Sequence, residues 1–455
     1  MWNERNGNSL ISRRLAQFAT QLDHGAIPPA VRERAKRLIL DAIGCGLAAK
    51  RFDFAAASLR AIRELAGAGP RGVVGHPERL PLRDAVLANG ILMHGLDYDD
   101  THTEGVVHLT VAVLPAVLAL SAELDRSGAE LLAAYVAGVE AGARIASVAE
   151  GAFHEAGFHP TGVIGAFAAA IAAGKLYRLN VEQLVNAQGA ALSVAAGSLE
   201  FLADGSWTKR LHAGWAGVGG ITAAALARGG FVAPKAAYEG RHGLFRLFLE
   251  APPSNLERAT ADLGGAWEAL NVAVKPFPAC HFVHAFADAA IALRRNGLDA
   301  AKVASVTALV PKEEIEVICE PAANKRRPAN DYDAKFSLPY VVAVSLRAGK
   351  FGLAELEQGA LADAATLALA ARVGYRADPD SGFPRHYSGE LIVRLDDGRE
   401  LRHREAVNRG AADRPLSNGE VEAKFLDNFP SQKMRRTILA ADSLSARELE
   451  EAIVG

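Results

Sequence analysis

The chain has 455 residues, half of them hydrophobic and 22% charged, with 43 glycines and 20 prolines spread along it. Disordered, collagenous and low-complexity classes are excluded, and a soluble globular protein is implied. Fifty Lys and Arg against 52 Asp and Glu leave a formal charge of −2, so no overall field draws the chain to nucleic acid or to an anionic membrane. Three distant cysteines, Cys45, Cys280 and Cys319, make neither a disulfide framework nor a zinc knuckle and fit a reducing compartment.

The first residues carry charges with no apolar segment behind them, and the most apolar later stretch, 163–173, closes at Lys175, too soon to span a bilayer. A cytoplasmic protein is expected. From 10 to 249, Ala, Leu, Val and Gly recur at helical spacing. Ser127 with Glu130 and Asn180 with Gln183 stand at capping-box spacing, each before a long apolar-periodic run. These predict helices over 131–148 and 181–202, with Ala- and Gly-rich faces suited to close packing. The texture changes near Ala251-Pro252-Pro253. The β-branched alternation of 303–310 predicts a strand, and 389–395 with 400–403 around an Asp-Asp-Gly-Arg turn predict a hairpin. Ser417 with Glu420 is a further capping box, and 421–429 and 446–453 read as helices. The expected fold is mainly α: a large all-helical domain formed by 1–268 with 406–455, and a smaller α/β lid domain over 269–405, inserted before the C-terminal helices.

Nine of the 13 histidines lie between His94 and His284. Four polar strings interrupt the apolar texture. The richest, from His94 to His108, holds Asp97, Asp99, Asp100, Thr101 and His102, and a solvated turn with helix caps would account for it as well as a site does. The second brings His159-Pro160-Thr161 before a buried run, where a histidine either caps the helix or meets an anion at its N-terminus. The third contains Lys209-Arg210-Leu211-His212, whose cations could simply snorkel to solvent. The fourth runs from Lys275 through two prolines to Cys280-His281 and His284. There is no G-x-G-x-x-G in strand–turn–helix context, no P-loop, no H-E-x-x-H and no G-x-S-x-G. Asp99, Asp100, His102 and His108 offer donors suited to zinc, iron or manganese, yet meet no strict ligand spacing. No metal is assigned.

In this order the strings resemble those of the MmgE/PrpD family, which includes 2-methylcitrate dehydratase, cis-aconitate decarboxylase and iminodisuccinate epimerase. The resemblance runs from Ile27-Pro28-Pro29 to Asp333-Ala334-Lys335-Phe336-Ser337-Leu338-Pro339-Tyr340. It implies a helical domain interrupted by a smaller α/β domain, a homodimer, and a site that needs no cofactor. By motif match it implies Asp97, His108, His159 and Lys209 as catalytic residues. Thr101, His102, Lys275, Cys280 and His281 are implied on the substrate. The chemistry agrees, since dehydration, epimerisation or decarboxylation of a polycarboxylate builds charge beside a carboxylate. Lysines can stabilise that charge while neutral histidines move the proton, with Asp97 orienting an imidazole and Thr101 hydrogen-bonding the substrate. His108 is followed by Leu109-Thr110-Val111, not the Pro-Ser-Asp associated with 2-methylcitrate dehydratases. A cofactor-independent hydro-lyase on a related di- or tricarboxylate is expected, with an epimerase, isomerase or decarboxylase as the alternative and a small-molecule polycarboxylate as the partner.

Overall fold

The computed structural model describes residues 10–454. The chain divides into two compact units. The first takes residues up to Glu200, Trp207–Val272 and Ser417 onward; the second takes Phe201–Ser206 and Ala273–Leu416.

The first unit is built on helices, and its centre follows from their composition. In the Leu109–Glu123 helix every residue but the last is buried, and in the Pro160–Leu176 helix only Lys175 is not. Helices apolar on all sides belong inside a helical core. The Gly128–Val148 helix has the length and hydropathy of a membrane span, but its most apolar 18 residues are all buried within the protein. It starts on the expected Ser127–Glu130 capping box, and the Asn180–Gln183 and Ser417–Glu420 boxes also form. Small residues set the packing distance. A Cβ on Gly90 of the Leu82–His94 helix would lie 2.3 Å from the Gly214 Cα of the Thr208–Arg228 helix, so these backbones touch only because both residues are glycine.

The helix expected over 181–202 is shorter than that: it ends at Ala191. Beyond it the chain unwinds to run beside the loop before the Pro160–Leu176 helix. His159 N–H donates to Gly197 O (2.9 Å) and Leu199 N–H to Gly157 O (3.0 Å). Gly197 sits at φ +144°, and a Cβ on Gly162 would lie 2.1 Å from Ala196 O. Periodicity alone could not foresee that the second half of this run pairs with a distant loop. The detour holds His159 in place.

The second unit contains a four-stranded sheet. Strand β1 (Val303–Val310) is central, parallel to β2 (Val373–Ala377) and antiparallel to β3 (Gly389–Leu395), which pairs in turn with β4 (Glu400–Glu405). The expected strand and hairpin both form, with Gly398 at φ +87° in the turn. The His284–Arg295 helix packs on β3, β4 and the Leu338–Ala348 helix. Helices Asn418–Asn428 and Ala446–Ile453 return the chain to the first unit.

Candidate functional site

The turn after the Leu82–His94 helix concentrates the chemistry of the first unit. Asp97 adopts φ +51°, a left-handed conformation that aspartate tolerates better than most residues. Its Oδ1 accepts a 2.9 Å bond from Lys209 Nζ at the start of the Thr208–Arg228 helix. Both side chains are buried. Arg210 plays no such part: its Nε donates to Gly95 O (2.7 Å) and its guanidinium lies 4.1 Å over the Phe54 ring, bracing the same turn.

Asp99 faces two imidazoles directly. Its carboxylate receives His94 Nδ1 at 3.0 and 3.1 Å and lies 3.3 Å from His108 Nδ1. Burial alone would raise the Asp99 carboxyl, but the two facing imidazoles outweigh burial and hold it well below the usual range. His108 Nδ1 also donates to Asp100 O (2.7 Å), with Thr101 Oγ1 at 3.2 Å, and its backbone N–H donates to Thr161 Oγ1 (3.1 Å). Thr161, from the His159-Pro160-Thr161 string, thus secures the backbone of His108. Because a carbonyl only accepts, the proton of a neutral His108 resides on Nδ1.

His159 ends the same cluster. It precedes Pro160 at the start of its helix without a side-chain capping bond. Its ring lies 5.6 Å from that of His94, nearly parallel, and 6.0 Å from that of His108. Its Nδ1 is 3.0 Å from Nδ1 of His212, so one nitrogen donates and the other accepts. Burial first, then the nearby Lys209 charge, pushes the His159 pKa well below its ordinary value. For His212, burial and then His94 and Lys209 lower it to about 4.

Polar groups behind this shell are equally enclosed. Asp100 accepts from the Thr110 hydroxyl, which also bonds Tyr135 Oη (2.6 Å). Burial drives the Asp100 pKa up to about 8, with Asp99 and Asp41 adding to it. Lys424, from the returning C-terminal helix, bonds Asp41 Oδ1 (2.7 Å) and Tyr98 O (2.6 Å), and stands 3.8 Å over the Tyr98 ring. It clamps the turn that carries Asp97 and Asp99 from a position 326 residues further along the chain.

All nine residues singled out from the sequence are buried, but they are not all brought together. Asp97, Thr101, His108, His159 and Lys209 share this region of the first unit. His102 turns away: its Nδ1 accepts from Gly105 N–H (3.2 Å) and its Nε2 meets Glu268 Oε2 at 3.1 Å. The hydrogen bond from His102 is the main reason that Glu268 falls to about 2. With both ring nitrogens engaged, His102 holds the 268–271 segment in place. The Asp99, Asp100, His102 and His108 combination is therefore not a ligand set. Lys275, Cys280 and His281 belong to the second unit. There Cys280 N–H donates to Lys335 O (3.0 Å), His281 Nε2 faces Asn408 Nδ2 at 2.7 Å, and His284 Nε2 donates to Ala279 O (3.1 Å). Sequence reasoning gave no role to His94, His212 or the Asp41–Lys424 pair, and weighed Asp99 only as a metal donor. His94 and Asp99 stood in the flagged string, whereas Lys424 carried no local signal.

A buried lysine–carboxylate pair stands beside clustered imidazoles on the turns of a packed helical domain. The MmgE/PrpD N-terminal domain matches residues 13–257 and the MmgE/PrpD C-terminal domain residues 277–445. The chain belongs to the MmgE/PrpD family of enzymes. Similar curated proteins include the cis-aconitate decarboxylase-like protein oryM of Aspergillus oryzae, 27% identical across 98% of this chain and 97% of that protein. The cis-aconitate decarboxylase of Aspergillus terreus is 29% identical across 75% of this chain and 73% of its own length. The human cis-aconitate decarboxylase is 29% identical across 90% and 86%.

Proposed function

We propose that this protein is a cofactor-independent lyase acting on a small polycarboxylate, and that its reaction is decarboxylation of an unsaturated tricarboxylate of the cis-aconitate type. The observation that carries this reading is the buried Lys209–Asp97 pair beside the Asp99-oriented histidines. The decarboxylase activity for which the relatives are named favours decarboxylation over the hydro-lyase expected from the sequence.

In such a substrate the bond from the saturated methylene carbon to its carboxylate breaks and its electron pair becomes a new double bond. The pair of the old double bond moves to the far carbon, next to a carboxylate, and that carbon takes a proton. Carbon dioxide and an unsaturated dicarboxylate leave. The Lys209 ammonium, held by Asp97, stabilises the negative charge that accumulates on the adjoining carboxylate. Anionic Asp99 favours an imidazolium at His108, which makes His108 the proton donor, while burial and Lys209 keep His159 neutral, so that it can hydrogen-bond the substrate without adding charge. Thr101 is assigned to hydrogen-bonding substrate. Lys275, Cys280 and His281 are assigned to substrate carboxylates on the family resemblance alone.

The test is proton NMR in deuterated water with methylcitrate, citrate, cis-aconitate, malate, tartrate and iminodisuccinate. Consumption of cis-aconitate with one deuterium in the product methylene is expected, and its loss in His159→Ala would tie it to this site. Dehydration or epimerisation of another compound would keep the site and replace the reaction. Folded protein that turns over and exchanges none of them would overturn the reading.

We also infer a homodimer. The Thr208–Arg228 helix exposes Leu211, Trp215 and Leu226 by 42 to 48% along one face, an apolar stripe of the kind that marks association. Sedimentation showing only monomer at micromolar concentration would refute it.

A further inference from the structure

We propose that His94, His108 and His159 bind one first-row transition-metal dication, zinc foremost, and that the ion blocks turnover by occupying these imidazoles. The binding half stands on the histidine geometry. The blocking half rests on the function proposed above.

One ring nitrogen from each of the three histidines lies within 4.8 Å of the other two, and all three residues are buried. Tetrahedral zinc with bonds of about 2.0–2.1 Å places its ligand nitrogens about 3.4 Å apart. Binding would have to draw the three nitrogens together by up to about 1.4 Å, through rotation of the side chains. The ring orientations suit an ion as well. His94 Nδ1 is bound to the Asp99 carboxylate and His108 Nδ1 to a backbone carbonyl, so both protons reside on Nδ1 and the lone pairs on Nε2. Nε2 of His94 is buried without a hydrogen-bond partner among the described residues. An unsatisfied buried acceptor is costly, and a metal bond would remove that penalty. For His159, a proton on Nδ1 given to His212 leaves Nε2 as the donor atom.

The surroundings supply the outer partners that metal-binding histidines need. Asp99 stands behind both His94 and His108, a carboxylate–histidine–metal arrangement that fixes the ring and raises its basicity. The nearby cation, Lys209, is held by Asp97. Three imidazoles select zinc, cobalt, nickel or copper over magnesium and calcium, which take oxygen ligands.

The experiment is titration of the chelator-stripped full-length protein with Co²⁺, read by its visible absorption, with displacement by Zn²⁺. One equivalent per chain is expected, along with loss of polycarboxylate turnover in step with binding and recovery on adding chelator. His94→Ala and His159→Asn should each weaken binding by at least about 100-fold, and Asp99→Asn by about 10–100-fold. His102→Ala should bind as the parent does. Thermal melting shows whether each variant is folded, and two independent ligand variants protect against one failing to fold. No Co²⁺ spectrum from the folded parent, or a spectrum unchanged in both ligand variants, overturns the site. Full turnover with one ion bound overturns the blocking role. Because the spectrum requires no substrate, the site is judged even where every polycarboxylate is left untouched, and turnover without metal binding sinks this inference alone.

Discussion

Two regions of this protein bury neighbouring histidines, and their surroundings separate them. In the first unit, the His94 and His108 rings lie 4.9 Å apart and share the Asp99 carboxylate. In the second, the His281 and His284 rings lie 4.8 Å apart, and their partners include the Asn408 amide, the Ala279 carbonyl and the edge of the Tyr387 ring. Neutral partners fix a tautomer, whereas a buried carboxylate also stabilises a proton in transit. Proximity of imidazoles is common to both regions. The charge behind the ring is what marks the first as chemical machinery.

Removing that charge should have the largest effect. Asp99→Asn keeps the shape of the side chain but turns an acceptor into an amide beside two Nδ1 protons, and kcat/KM should fall by about 10³–10⁴-fold. Asn408→Asp is the reciprocal test in the second unit and should confer no comparable gain. If both changes alter turnover equally, the distinction between the two regions fails.

The second effect is on stability. Lys424→Met leaves Asp41 buried without its cation, and breaking a buried pair from one side costs about 3–5 kcal/mol. Urea unfolding should show that loss. The replacement should also loosen the Tyr98 turn and lower turnover, while Lys424→Arg should restore part of each. Unchanged stability in Lys424→Met would remove the clamp from the account of the site.

What could be read from the sequence divides along similar lines. The capping boxes at Ser127, Asn180 and Ser417, the 303–310 strand and the hairpin near 389–405 were legible because each is written in adjacent residues. Asp97, His108, His159 and Lys209 were legible through their motifs. Asp97 was expected to orient an imidazole. It holds Lys209, and Asp99, two residues later, holds the imidazoles. Side-chain direction at a left-handed turn decides that, and no spacing rule contains it. His102 looked equivalent to its neighbours until Glu268 claimed it. Long-range partners such as Lys424 are invisible to periodicity.

Asp100 and the His159–His212 pair then sharpen the comparison within the first unit, because burial acts on them with opposite sign. Asp100 rises from an ordinary 3.8 to about 8, so the folded protein retains a proton that the unfolded chain has released. Its contribution to stability is complete below the unfolded pKa and is lost as pH rises towards 8, at no more than about 1.4 kcal/mol per pH unit. Asp100→Asn should remove that slope, making the variant less sensitive than the parent between pH 6 and 8 in urea midpoints. An unchanged slope would show that Asp100 does not bind a proton in the native state.

For His212 the sign reverses. The folded pKa of about 4 lies below the ordinary 6.5, so the unfolded chain binds a proton that the native state refuses. Stability is full above the unfolded pKa and falls as pH drops from about 6.5 towards 4, and His159 acts in the same direction. His212→Asn removes one of these two groups and should flatten the acid-side loss by a fraction of the limiting slope of about 1.4 kcal/mol per pH unit. Because His212 is only partly buried, this is the smallest of the four effects. An asparagine can still face His159 Nδ1, so turnover near neutral pH should change less than in Asp99→Asn. A His212→Asn protein whose acid-side slope matched the parent would place the pH sensitivity on other buried histidines, His159 and His154 among them, and reduce His212 to a hydrogen-bond partner.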